Sequence, residues 1–232
     1  GVLAEICEDV AWLLKKGNEI LIVSSGAIAL GRRRIKTSSN YTLADSQAMA
    51  SHGQIELMSA WKRQLNKFSI PIGQMLLTPR DTEIKISSQN AKQTVTKLLQ
   101  MGCLPIINEN DSTATDEIKF GDNDLLAAKV AKLVNADLLI ILSTIDGLYT
   151  SQENINSKKS DALIREVSKI NAKIKKMAGK ASNMGKGGMI SKVEAAEVCL
   201  KNNCVMVITS GNNKKPIKGL SKRKKSTWFM KK

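Results

Sequence analysis

Residues 106–126 read I-I-N-E-N-D-S-T-A-T-D-E-I-K-F-G-D-N-D-L-L. The stretch begins inside a short apolar run at 103–107 and ends in a segment of helical character. Between the two lie six acidic side chains, Glu109, Asp111, Asp116, Glu117, Asp122 and Asp124, in a chain whose formal net charge is +15. One reading is a solvated acidic loop. The other is a site for a cation, an amine or a phosphate–metal group. Asn108, Asn110 and Asn123 favour the second, because amides add donors and acceptors among the charges. A zwitterion needs that mixture, acceptors for its ammonium and donors for its carboxylate.

The same strand–loop–helix order recurs on either side. Leu3, Ile6, Val10, Leu13 and Leu14 follow a helical period over 3–16, and Gly17 ends it. The apolar run 20–23 suits a buried parallel strand. Ser24, Ser25 and Gly26 then lead into a second helix, placing small residues at a helix N-terminus where anions bind. Helical character returns over 43–68, followed by a strand at 70–77 with Pro71 near its start. A helix at 88–100, the strand 104–107, a helix capped by Asp122 or Asn123 and running to 134, and a strand at 137–142 continue the pattern. Residues 151–182 are polar and Lys-rich, an excursion with one or two short elements. A glycine-rich turn at 185–188 opens another helix, with Val193, Ala196 and Leu200 on its apolar side, and 204–208 is the last clear strand. No internal repeat is visible.

Alternation at this spacing predicts an α/β fold with a mainly parallel sheet and helices on both faces. Ligands of such sheets bind beyond the carboxyl ends of the strands. The Ser24–Gly26 turn, the acidic stretch and residues 143–150 all occupy such ends.

Composition narrows the function. At 232 residues the chain buries a sizeable core. No apolar run reaches the roughly 18 residues of a membrane helix, and the acidic first helix is unlike a signal peptide. The expected location is cytoplasmic. Cys7, Cys103, Cys199 and Cys204 form no C-x-x-C pair and read as small core residues. A single histidine, His52, argues against zinc and against a Ser-His mechanism; its helical setting suggests a surface residue. The basic excess fits a Lys-rich surface, attraction for an anionic substrate such as ATP, or a nucleic-acid footprint. Aromatics at 3% are too few for base stacking, so nucleic acid is the least favoured partner.

The glycine turn G-K-G-G-M-I-S-K at 185–192 is not a Walker A loop, since Gly179 and Gly185 are separated by five residues and Lys186 precedes a glycine. Its physics is related. Glycines let backbone N–H groups approach phosphate oxygens, the following helix favours negative charge, and Lys192 projects from the first turn.

Taken together and in order, six stretches resemble the glutamate 5-kinases of the amino acid kinase superfamily. They are I-V-S-S-G-A-I-A-L-G (22–31), G-Q-M-L-L-T (73–78), P-I-I-N-E-N-D (105–111), I-K-F-G-D-N-D (118–124), D-G-L-Y-T (146–150) and G-K-G-G-M-I-S-K (185–192). The resemblance implies a three-layer α/β/α sandwich that phosphorylates the γ-carboxylate of L-glutamate with ATP and Mg2+, the first step of proline biosynthesis. It implies that Ser25, Asp111 and Asn123 hold glutamate, Asp111 accepting from the ammonium and the others donating to its carboxylates. Lys192 would neutralise charge on the transferring phosphoryl group and Asp124 would orient lysine side chains, as a reaction governed by positioning and electrostatics requires. ATP would meet Ser143, Thr144, Lys186, Gly187, Gly188, Met189, Ile190, Ser191 and Lys192, with Mg2+ held through its phosphates rather than by protein ligands. No general base is needed, because a carboxylate is a nucleophile at pH 7.

The chain departs from the family pattern in four places. The family opens with a strand bearing a lysine and a phosphate-binding turn, whereas this chain opens at the following helix, so the reading expects an N-terminally truncated catalytic domain over 1–232. An aspartate usually follows the Ser143 position, and Thr144 stands there. Lys186 replaces a usual threonine. Many bacterial members continue into a C-terminal PUA domain, which is expected to be absent. The resemblance also implies a homo-oligomer and inhibition by proline at the glutamate site. Alternatives are a kinase for aspartate or N-acetylglutamate, a basic nucleic-acid-binding module, or an inactive remnant.

Overall fold

A computed structural model describes residues 1–35, 42–113, 123–151, 160–179, 188–222 and 225–231. The elements follow the expected alternation: α1 (Val2–Lys15), β1 (Ile22–Val23), α2 (Ala27–Arg34), α3 (Leu43–Leu65), β2 (Ile72–Leu77), α4 (Pro79–Glu83), α5 (Lys85–Gln100), β3 (Leu104–Glu109), α6 (Asn123–Val134), β4 (Leu138–Ser143), β5 (Glu166–Val167), α7 (Ala172–Met177), α8 (Met189–Lys201), β6 (Val205–Ser210) and β7 (Ser226–Phe229). They fall into two compact units, one of Gly1–Val10 with Asp124–Lys232, the other of Ala11–Asn123.

The Ala11–Asn123 unit holds a three-stranded sheet ordered β1-β3-β2, parallel throughout. All six residues of β3 are buried, as a strand between two others requires. Asn108 and Glu109 continue its ladder opposite Leu76 and Leu77. The strand therefore extends two residues beyond the expected 104–107, and two polar side chains assigned to a loop are buried strand residues. Two close approaches fix the helices. A Cβ at Gly53 of α3 would fall on the carbonyl oxygen of Ala27 and 2.6 Å from the amide nitrogen of Gly31, and a Cβ at Gly31 would meet the Met49 carbonyl. Only two bare backbones cross that closely. Alanine at Gly53 gains about 1 kcal/mol of helix propensity, yet the clash is with backbone, so the helices must part. Gly53→Ala is expected to lower unfolding stability by about 1–3 kcal/mol net. An unchanged denaturant midpoint would show that the crossing has slack.

The other unit has a four-stranded mixed sheet ordered β4-β6-β7-β5. β4 pairs with β6 in parallel and β7 runs antiparallel to β6. β7 escaped the sequence reading, because its S-T-W-F is short and follows a lysine run with no apolar period. Its Thr227, fully buried, accepts from the Leu148 amide at 2.8 Å and donates to the Ile164 carbonyl at 2.6 Å. The excursion contributes a short 3-10 turn (Ser160–Ala162), β5 and α7, against the one or two elements expected. Cys7, Cys199 and Cys204 are buried and Cys103 half-buried, none of the four in a disulfide, and His52 is exposed, as expected.

Asp9 of α1 anchors the basic segment after β6. Its carboxylate, 1% exposed, accepts from the amides of Ile217 at 2.8 Å and Lys218 at 3.0 Å, while Glu5 one turn earlier accepts from Lys215 at 3.1 Å. Asp9→Ala leaves two amides short of an acceptor and is expected to cost about 2–4 kcal/mol. A thermal melt of the full-length variant within a degree of the parent would contradict this.

Candidate active site

Beyond the carboxyl ends of β1 and β3 the Ala11–Asn123 unit carries a buried polar network. Gly26, with φ +106°, turns the chain from β1 into α2 in a conformation that side-chain-bearing residues avoid. Ser24 just before it is buried, and its hydroxyl accepts a hydrogen bond from Trp61 Nε1 at 2.9 Å. Ser25 is exposed.

Two backbone groups set the network's orientation. The Glu109 amide donates to Asn108 Oδ1 at 2.8 Å, so that atom is the acceptor and Asn108 Nδ2 the donor. Asn108 Nδ2 donates to Gln54 Oε1 at 2.9 Å. Asn123 Nδ2 donates to the Ser24 carbonyl and to Asn108 Oδ1, both at 3.0 Å. Both hydrogens of that amide are thus engaged within the unit, and its carbonyl oxygen is the part left for a ligand.

Next to this network is a cleft of about 270 Å³ whose lining includes Ala27, Gln54, Gln74, Glu109, Asn110 and Asp111. Glu109 is buried and Asp111 half-buried. Asn110 is tied back by its amide, which donates to the Leu77 carbonyl at 2.9 Å. No lysine or arginine lines the cleft among the described residues. The Glu109 and Asp111 carboxylates give the lining acceptors that suit an ammonium, and the amides suit a carboxylate.

The Asp124–Lys232 portion carries the second cluster. Lys192, in the first turn of α8, donates from Nζ to Asp124 Oδ2 at 2.7 Å, with side-chain exposures of 11% and 15%. Ser191 Oγ lies 3.2 Å from the same oxygen and 2.8 Å from the Gly188 carbonyl. Gly188 caps α8 without a side-chain bond, leaving the first-turn amides to other acceptors. Ser143 closes β4 opposite Ser210 of β6, its carbonyl accepting from Gly211 at 2.8 Å, and Thr144 beside it is exposed. Lys186 and Gly187 lie outside the described residues. A wider cleft of about 460 Å³, lined by Lys214, Lys215, Lys218, Lys222, Gly219 and Glu5, contains none of the candidate residues.

The sequence profile of the amino acid kinase family matches residues 1–210. The chain belongs to that family. Its curated relatives include the glutamate 5-kinase of Pelagibacter ubique, 45% identical over 230 residues that make up 98% of this chain and 62% of that protein. The glutamate 5-kinase of Agrobacterium fabrum is 44% identical over 229 residues, 98% of this chain and 58% of its own length. The chain therefore spans about three-fifths of these relatives. Among solved structures, UMP kinase from Ureaplasma parvum superimposes with a TM-score of 0.62 at 15% identity, covering 99% of this chain and 88% of that one. Carbamate kinase from Giardia lamblia bound to AMP-PNP gives 0.67 at 16% identity, covering 98% and 90%. These two likenesses establish the amino acid kinase fold.

The first turn of α8, without a side-chain cap, and the Lys192 ammonium are donors whose chemistry fits a phosphate chain. Sequence reading missed Gln54 and Trp61. Ala50, Gln54, Leu57 and Trp61 recur at helical spacing and are all buried, so a glutamine interrupting an apolar stripe was the available signal.

Proposed function

We propose that the protein transfers the γ-phosphoryl group of ATP to the γ-carboxylate of L-glutamate, giving L-glutamyl 5-phosphate for proline biosynthesis. The cleft beyond β3, with the Glu109 and Asp111 carboxylates beside an oriented amide network, carries this reading. The extended identity to glutamate 5-kinases supports the choice of amino acid. Asp111 accepts from the substrate ammonium and Ser25 donates to a carboxylate. Asn123 holds the Ser24 carbonyl and Asn108 in place.

The chemical step forms a bond between a γ-carboxylate oxygen and the γ-phosphorus and breaks the bond from that phosphorus to the β–γ bridging oxygen, whose electron pair leaves on ADP. No proton moves, because the carboxylate is already ionised. Lys192 offsets charge gathering on the transferring group, with Asp124 holding its ammonium in place. Ser143, Thr144, Gly188, Met189, Ile190 and Ser191 line the nucleotide's place in this reading, and Lys186 and Gly187 complete it. Mg2+ carried on the phosphates would neutralise part of their charge. Residues 1–232 are read as one catalytic domain, working as a homo-oligomer. Proline, sharing an amino group and α-carboxylate with glutamate, would compete at Asp111.

Trapping tests the product. An acyl phosphate reacts with hydroxylamine to give a hydroxamate, so the full-length protein should form γ-glutamyl hydroxamate only with both L-glutamate and Mg-ATP present. Hydroxamate from aspartate or N-acetylglutamate, with none from glutamate, would overturn the choice of substrate.

A further inference from the structure

We propose that Gln54 is a substrate-recognition residue whose side-chain N–H group donates to a carboxylate oxygen of the acidic substrate in the cleft beyond β3. The inference rests on the glutamate reading and names a contact within the same site.

The backbone fixes the orientation of the side-chain amides. The Glu109 amide can only donate, so Asn108 Oδ1 accepts and Asn108 Nδ2 must face its next neighbour as a donor. That neighbour atom on Gln54 is therefore Oε1, at 2.9 Å, and Gln54 cannot be turned over without setting two donors against each other. Its Nε2 is left as the other end of a fixed amide. Gln54 is only 9% exposed and lines the cleft, and no hydrogen bond among the described residues takes up Nε2.

A buried amide N–H without an acceptor is disfavoured, and here it belongs to a side chain whose far end is locked. A ligand acceptor removes the penalty. The cleft decides which kind. Glu109 and Asp111 supply acceptors there, and the Asn123 amide, the other candidate donor, has both hydrogens engaged. Gln74 also lines the cleft, but it is exposed and its amide keeps access to water. Gln54 is the buried lining residue that offers a carboxylate a desolvated donor of fixed direction. A site built in this way discriminates against analogues lacking the acceptor.

The test uses the full-length protein with Gln54→Glu, which keeps an oxygen for Asn108 and replaces the donor by a charge that repels a carboxylate. Thermal melts and steady-state kinetics are run with L-glutamate and ATP varied separately. The expected result is a glutamate KM raised about 10- to 100-fold, with the KM for ATP within about twofold, measured below the melting transition, which a buried charge near Glu109 and Asp111 lowers. A glutamate KM within about twofold of the parent's, or equal rises in both KM values, would overturn the proposal and leave Gln54 as packing. Should the variant fail to fold, the Gln54 side-chain amide protons in the parent give the same decision. Adding L-glutamate should shift them and slow their exchange, and no response at saturation overturns the assignment. If the parent turns over no glutamate, it is the glutamate reading that fails, a different outcome from an active parent whose Gln54→Glu variant matches it.

Discussion

Lys192→Met is expected to lower kcat by about a thousandfold, roughly 4 kcal/mol of transition-state stabilisation, while changing the KM for glutamate little. Methionine keeps most of the volume and removes the charge. Phosphoryl transfer gathers negative charge on oxygens that a fixed cation in a mostly buried setting stabilises well, because little reorganisation is needed as the charge develops. Lys192 meets that requirement. Its ammonium is held at 2.7 Å by Asp124, and its side chain is 11% exposed. The pair also matters for stability. Removing one partner of a nearly buried pair commonly costs about 3–5 kcal/mol, so Asp124 without Lys192 should lower the melting temperature as well. Steady-state kinetics below the new transition separate the two effects. A Lys192→Met protein that is folded and retains kcat within tenfold of the parent's would place the charge-stabilising group elsewhere.

Asp111→Asn is expected to raise the KM for L-glutamate by about 10- to 100-fold, the loss of a hydrogen bond between charged groups. The side chain is half-buried and lines the cleft. Asparagine preserves shape and an acceptor oxygen, so the change isolates the charge. The KM for ATP should move by less than about threefold, since the substitution removes no phosphate donor. Stability should change little at a half-buried position. Equal increases in both constants, measured with each substrate varied at saturation of the other, would contradict the assignment of Asp111 to the ammonium.

Much of the fold was legible in particular residues. Leu3, Ile6, Val10, Leu13 and Leu14 marked α1, and the small-residue turn Ser24–Ser25–Gly26 marked the passage from β1 to α2. Lys192 was legible because a glycine turn followed by an apolar-periodic run fixes where a helix begins. The misses have physical causes. Asn108 and Glu109 read as loop because polar residues usually end a strand, yet ladder bonds to β2 and buried partners extend β3 through both. α4 was hidden because its stability is local capping. Asp81 Oδ2 accepts from the Thr78 amide and hydroxyl, both at 2.7 Å, and Pro79 opens the helix, a signature with no hydrophobic period. Gln54 and Trp61 were missed for another reason. Their partners Asn108 and Ser24 lie 54 and 37 positions away, and sequence spacing carries no information about which buried polar groups will pair.

The kinase reading is tested most directly by ADP release from Mg-ATP by the full-length protein, compared with L-glutamate, L-aspartate, N-acetyl-L-glutamate and no acceptor. The expected result is ADP release that depends on L-glutamate, saturates with it, and exceeds release with either other acid by at least about tenfold in kcat/KM. Folded protein that releases ADP with another acceptor in preference, or with none of them, would contradict it.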